Sequence, residues 1–256
     1  MRKFRALIIL LCAVATTTAY ASPADSVQLQ QNISELANYF EGKGYAINQM
    51  LQDNRFKLIE GITEKFTRSA EVKIEGFEQY QKAVGFDRKK TIVADFMKEY
   101  GDELIAAEKE YDISRYVIAG IIGIESEFGK YKGSYNPFNA YVSMYAEGYR
   151  SDFAKAQLEE LLIFTNEHNL DVLSLESSYA GAMSYAQFIP YSLNRWFVGS
   201  ELYNMKNNIA SVANYLAHFK EITGSTEKAI YRYNPSSLYT QAVLALAEEA
   251  RQVDQD

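Results

Sequence analysis

The chain is poor in cysteine, histidine, proline and tryptophan: 256 residues hold one Cys, two His, four Pro and one Trp. A single cysteine, Cys12, excludes an intrachain disulfide, so packing alone must hold the fold. His168 and His218 lie fifty residues apart and share no metal-ligand spacing. No Ser or Cys motif points to either one, which argues against a histidine-based triad. Basic residues are the minority charge, 26 against 33 acidic ones, for a formal net charge of −7. Such a chain has no bulk attraction for nucleic acid or for an anionic membrane. Beyond the first two dozen residues no stretch is apolar enough to span a bilayer, so no integral membrane segment is expected.

The N-terminus reads as a secretory signal over residues 1–21. Arg2, Lys3 and Arg5 supply the charged region, Ala6 to Val14 the apolar stretch, and Ala19-Tyr20-Ala21 a small-x-small cleavage site. Leu11, directly before Cys12, is too bulky for a lipoprotein signal, so cleavage after Ala21 without a lipid anchor is expected. Losing the three basic residues of this segment would take the charge from −7 to −10.

Helical periodicity dominates the rest. Leu36, Tyr39 and Phe40, and later Val93, Phe96, Met97, Tyr100 and Leu104, recur at three- and four-residue steps. After a short disordered lead from Ser22 to about Ser26, the pattern predicts helices from Gln28 to Glu110, with Ser69 to Gly76 as a strand or extended linker. It then predicts helices over Arg115 to Glu127, capped by Asp112 or Ser114, and over Asp152 to Asn166, Ala180 to Phe188, Asn208 to Lys220 and Leu238 to Arg251. Lys130 to Asn139 reads as loop. Strand signals are almost absent, so the fold class is mainly α.

Residues 120–129 read Gly-Ile-Ile-Gly-Ile-Glu-Ser-Glu-Phe-Gly. Glu125 ends an otherwise apolar helix. Lost solvation and the negative end of the helix dipole both favour its protonated form, as a general acid requires. The alternative is a carboxylate that turns to solvent where the helix stops. Residues two apart on a helix point to nearly opposite sides, so Glu127 is read as a solvated or structural charge. Gly120 and Gly123 read as packing glycines. Tyrosine is abundant, with 20 copies, and its apolar face and hydroxyl suit sugar rings as well as protein cores.

Four segments then agree in order: Glu125-Ser126-x-Phe128-Gly129, Gly181-x-Met183-x-x-x-Gln187-Phe188-x-Pro190, Asn214-Tyr215, and Tyr233-Asn234. Together they resemble the motifs of lytic transglycosylases, in the fuller pattern of the membrane-bound lytic murein transglycosylase B family, from about Phe77 to Val243. The resemblance implies a lysozyme-like catalytic core over residues 112–256, with an N-terminal helical region (22–111) packed against it and contributing to the groove. It also implies a periplasmic enzyme acting on peptidoglycan glycan strands, which cleaves the MurNAc–GlcNAc bond to leave 1,6-anhydro-MurNAc ends. Glu125 would protonate the leaving oxygen, then accept the proton of the C6 hydroxyl as that oxygen closes onto C1, with the substrate's N-acetyl group assisting.

Site roles follow from the same resemblance. Ser178 matches a serine near the carboxylate or the sugar, and also reads as a helix N-cap. Gln187 matches a glutamine beside the scissile bond, with Met183 and Phe188 drying the site. Tyr233 and Asn234 match a pair that hydrogen-bonds the N-acetyl group and sugar. Tyr215, Tyr239 and Tyr80 fall on cleft tyrosines, although Tyr80 and Tyr239 read equally as core tyrosines. Arg150 matches the second of two arginines expected to meet the peptide side of the glycan, or is an exposed charge at a helix start; Tyr149 replaces the first. The Asp-rich loop that resembles a calcium site in the family is missing: Phe197-Val198-Gly199-Ser200-Glu201-Leu202-Tyr203-Asn204 carries no ligand ladder. Neither a metal nor a cofactor is expected. The alternatives are a hydrolytic muramidase on the same scaffold and a catalytically silent glycan-binding protein.

Overall fold

The computed structural model describes residues 23–71 and 74–255; the expected signal segment lies outside them. Among the described residues the regular structure is helical, with α1 (Pro23–Glu41), α2 (Ile47–Gln52), α3 (Ile62–Glu71), α4 (Phe77–Ala83), α5 (Phe86–Glu99), α6 (Gly101–Tyr111) and α7 (Arg115–Ser126). Then come α8 (Pro137–Ala146), α9 (Ser151–Glu167), α10 (Pro190–Trp196), α11 (Met205–Thr223), α12 (Thr226–Tyr233) and α13 (Ser237–Val253). Two isolated bridges, Tyr135 with Ser177 and Met183 with Phe188, are the only strand-like pairings among them.

Helix α7 is the axis of the molecule. Val117 to Gly123 are all buried, as expected of a helix apolar on every side. It packs most extensively against α13 and also touches α5, α6 and α11. Gly120 allows the closest approach: a Cβ there would lie 2.6 Å from the carbonyl oxygen of Val243. At Gly123 a Cβ would collide with Leu246 of α13 and with the Phe128 ring at 2.6 Å. Both glycines therefore serve packing, and any side chain would push α13 away. The helices before residue 112 lie on the later ones: α1 and α3 against α8, α4 and α5 against α13, α6 against α11.

Several local expectations fail, each for a visible reason. The lead is not disordered at its start, since Pro23 occupies the first turn of α1, where a missing N–H costs nothing. Ser69 to Glu71 continue α3, and among the described residues no strand follows. Asp112 adopts a left-handed conformation that closes α6, and Ser114 precedes α7 without a side-chain cap bond. Helix α8 begins inside the expected loop, because Asn136 accepts from the Asn139 N–H at 3.1 Å and Pro137 sits at the first helical position. Residues 180–188 are not a helix: Gly181, Ser184 and Gln187 all have positive φ.

Candidate active site

Glu125 lies on the last turn of α7, half-buried, and faces α13, α12, α4 and α5 through four side chains. Tyr239 of α13, 2% exposed, donates its hydroxyl to Glu125 Oε1 at 2.6 Å. Tyr80 of α4 and Tyr233 of α12 feel the Glu125 charge, as does Lys89 of α5. Burial pushes the Glu125 carboxyl up to about 7, while the Tyr239 hydrogen bond and the Lys89 charge pull it down. Burial and the Glu125 charge hold the Tyr239 phenol protonated far above its usual range, so it stays a donor. The group can thus hold a proton near neutral pH and also exist as a stabilised anion, the two states an acid–base catalyst needs.

The Tyr239 bond makes a first prediction. Tyr239→Phe removes the hydrogen bond that favours the carboxylate, so the Glu125 midpoint should rise above about 7, by about 1 to 2 pH units for a bond to a charged acceptor. A ¹³C NMR titration of the carboxyl carbons measures it. A midpoint that stays or falls would show that the bond does not support the anion.

Glu127 is neither solvated nor on the helix. The chain leaves α7 through three successive positive-φ residues, Glu127, Phe128 and Gly129. This turn rotates the Glu127 side chain inward, to 2% exposure. Ser126 Oγ accepts from the Gly129 N–H at 3.0 Å and steadies the turn. The Glu127 carboxylate accepts from Arg88 Nε at 2.8 Å and Lys130 Nζ at 2.9 Å, and lies 3.8 Å from Lys89 Nζ. Burial pushes its carboxyl up, but the bonds from Arg88 and Lys130 and the charges of Lys89 and Arg88 outweigh it and hold it below the usual range.

The segment from Ser177 to Pro190 forms the second wall. Ser177 and Tyr135 exchange backbone bonds at 3.0 and 2.6 Å, and Met183 donates to the Phe188 carbonyl at 2.8 Å, with both side chains buried. Between these pairs, Ser178 Oγ accepts from the Ala182 N–H at 3.2 Å, so it caps a turn and not a helix. Gln187 Nε2 donates to the Ser184 carbonyl at 2.9 Å, and Ala186 N–H donates to Asn208 Oδ1 at 3.0 Å. Non-glycine residues at positive φ cost roughly 1–3 kcal/mol each and gather where function requires strain. Of the seven here, Glu127, Phe128, Ser184 and Gln187 lie on the two walls.

Tyr233 donates to the Ala186 carbonyl at 2.5 Å, and its ring packs on Phe188 and Tyr215, with centroids at 5.4 and 4.7 Å. Tyr215 is buried and donates to the Arg232 carbonyl at 3.0 Å, so it backs Tyr233 instead of reaching the opening. Asn234 Oδ1 is buried with no protein partner, an open acceptor beside the site. Arg150 stands apart from this group. It is exposed, its guanidinium lies 4.1 Å above the Phe153 ring, and its charge reaches Tyr141, which donates to the Gly181 carbonyl at 3.0 Å. Tyr149, in place of the first arginine, stacks on Phe66 at 4.9 Å. In the shortened loop Glu201 Oε2 accepts from Asn204 Nδ2 at 3.2 Å. Among the described residues no three His, Cys, Asp or Glu side chains gather as a metal site would require.

Residues 28–226 match the family model described as transglycosylase SLT domain. Over 142 residues the chain is 32% identical to membrane-bound lytic murein transglycosylase B of Escherichia coli K12, covering 50% of this chain and 39% of that protein. The match thus spans well under half of the curated relative's length. Among solved structures, soluble lytic transglycosylase SltB1 of Pseudomonas aeruginosa superposes with a TM-score of 0.76 at 24% identity, over 90% of this chain and 100% of the other. The Escherichia coli lytic transglycosylase Slt35 in complex with bulgecin A gives 0.74 at 20% identity, over 90% and 94%. SltB3 of Pseudomonas aeruginosa in complex with NAG-anhNAM-pentapeptide gives 0.75 at 17% identity, over 87% and 79%. These likenesses establish the helical, lysozyme-like fold.

Proposed function

The chain belongs to the transglycosylase SLT domain family, and from that membership we propose that it is a peptidoglycan lytic transglycosylase of the cell envelope, with Glu125 as both its acid and its base. The observation that carries this reading is the setting of the Glu125 carboxyl: among the described residues its proton affinity is set by its burial, Tyr239 and Lys89, and no second carboxylate acts on it. Most hydrolytic glycosidases place two carboxyl groups roughly 5 to 9.5 Å apart, one of them to activate water or attack the sugar. Glu127, the nearest acid in sequence, is sealed under three cations.

In the proposed reaction the Glu125 proton goes to the glycosidic oxygen as the C1–O bond of MurNAc breaks. The N-acetyl oxygen supports C1. The C6 hydroxyl then closes onto C1 and returns its proton to Glu125, so no water is consumed. Asn234 Oδ1, unpartnered in the free protein, would accept from the N-acetyl N–H. Gln187 and Tyr233 shape the wall beside the scissile bond. Ser178 holds that wall's entry turn, and Tyr215 supports it from behind. Tyr80 and Tyr239 enclose the carboxyl. Arg150 would serve the peptide side of the glycan. Residues 22–111 complete the groove through Tyr80 and Lys89, and residues 1–21 direct export with cleavage after Ala21.

Digestion of purified sacculi tests the reading. Mass spectrometry should find 1,6-anhydro-MurNAc ends. Reducing MurNAc ends would make the protein a hydrolytic muramidase, and intact strands that bind the protein would make it a glycan-binding scaffold.

A further inference from the structure

Lys89 belongs to none of the motifs above, yet it sits in the middle of the charged groups. It lies on the apolar stripe of α5 with Phe86, Val93, Phe96 and Met97, and is 4% exposed. An ammonium buried that deeply is costly unless paired. Its pairing is incomplete: the closest carboxylate oxygen is that of Glu127, 3.8 Å away and beyond hydrogen-bond reach. The buried Glu127 carboxylate is shared with Arg88 and Lys130, whose side chains are half exposed. Glu127 is thus the main counter-charge of Lys89, and Glu125, two residues earlier at the end of α7, lies within the field of the same ammonium.

We propose that Lys89 is a positioning residue of this site, a buried fixed cation anchored by Glu127 that supports the anionic form of Glu125. The inference rests on the reading of Glu125 as sole acid and base, and it supplies something that reading lacks. A carboxyl surrounded only by apolar walls and phenols would give up its proton to the leaving oxygen with difficulty, because nothing would stabilise the anion left behind. Tyr239 stabilises that anion with one hydrogen bond, and Lys89 does so with a charge. When the C6 hydroxyl returns its proton, the anion is already present and in place. Lys89 itself exchanges no proton in either step.

Glu125 meets Tyr239 from α13, Tyr233 from α12, Tyr80 from α4 and Lys89 from α5. Lys89 meets Glu127, Glu125 and Lys130 from the end of α7 and its turn, and Arg88 from its own helix. Burial is the largest influence on Lys89 and, with the neighbouring cations Arg88 and Lys130, holds its proton affinity below the ordinary lysine value, while Glu127 and Glu125 offset part of that loss.

The test is a ¹³C NMR titration of the full chain with labelled glutamate carboxyls, the Glu125 signal being identified by its loss in Glu125→Gln. In Lys89→Met the Glu125 midpoint should move up by about one pH unit, the lower end of what a nearby opposite charge contributes. Lys89→Arg, which keeps the charge, should leave it nearer the parent value. If the Met variant does not fold, Lys89→Gln gives the same reading. The alkaline limb of anhydro-sugar release should move with the NMR midpoint. A midpoint unchanged or lowered in both neutral variants overturns the role of Lys89, whatever the activity. A shifted midpoint in a protein that releases no anhydro-sugar leaves the electrostatic role standing and overturns the catalytic reading instead.

Discussion

Glu125→Gln should lose at least 10²-fold in turnover and, at pH 8, melt at a higher temperature than the parent protein. The first effect follows from removing the transferable proton, since general acid–base catalysis contributes about 10² to 10⁴. The second follows from the direction of the Glu125 shift, from 4.5 up to about 7 in the folded protein. Below pH 4.5 the group is protonated in both states and the two proteins should be alike. Between those values the unfolded chain ionises while the folded one stays protonated, so rising pH draws the parent toward unfolding. Above 7 the loss is complete and amounts to about 3 kcal/mol at most, at 1.36 kcal/mol per pH unit. Gln carries no such cost and keeps an acceptor for the Tyr239 hydroxyl. With about 2 to 4 °C per kcal/mol for a protein of this size, the gain should be several degrees at pH 8 and should vanish near pH 4. Turnover within tenfold of the parent would remove Glu125 from the chemistry. A variant equally or less stable than the parent at pH 8 would contradict its burial.

Glu127→Gln should have the opposite profile, a large loss of stability with activity surviving better than in Glu125→Gln. Glu127 is 2% exposed, and the amide would leave the 4%-exposed Lys89 ammonium without its anchor. Removing one partner of a buried ion pair costs about 3 to 5 kcal/mol. The lower end applies here, because Arg88 and Lys130 can turn to solvent. Since the Glu127 carboxyl is held below its usual range, its contribution is present above the unfolded midpoint and is lost as pH falls through the folded one. The gap between variant and parent should therefore close in acid. Thermal melts across pH measure it. Equal stability at pH 7 would mean that the cation cluster contributes nothing, and a loss of turnover as large as that of Glu125→Gln would mean that the two glutamates share the chemistry.

The contrast between these neighbours shows what the sequence can and cannot carry. Glu125 was legible because an apolar helix such as Ile118 to Ile124 announces itself, and a lone acid at its end has few possible environments. Glu127 is the structural charge that its sequence position allows and not the solvated one, and helical geometry is not the reason. The helix stops at Ser126, and the left-handed turn that follows sends the next side chain inward. Left-handed conformations at Glu127, Phe128, Ser184 and Gln187 have no signature in residue type, as glycine would have supplied. They are imposed by tertiary packing, as when Phe128 folds back over Gly123. Residues 180–188 depart from the expected helix for the same reason. Their small residues suit a helix, but the Met183–Phe188 bridge and the Ala186 bonds to Tyr233 and Asn208 hold an irregular wall. Lys89 left a trace that could have been used: a lysine on the buried stripe of α5, three residues after Phe86 and four before Val93, is a charge where only apolar side chains are expected.

The 2.6 Å bond between Tyr239 and Glu125 joins residues 114 positions apart. As the chain leaves the ribosome, Glu125 emerges long before its donor. Until Ser237–Val253 has docked against the glycines of α7, the carboxyl lacks the Tyr239 hydrogen bond and the part of its burial that α13 supplies. The acid–base role proposed for Glu125 therefore depends on α13 being in place, and a chain whose α13 is undocked should be inactive.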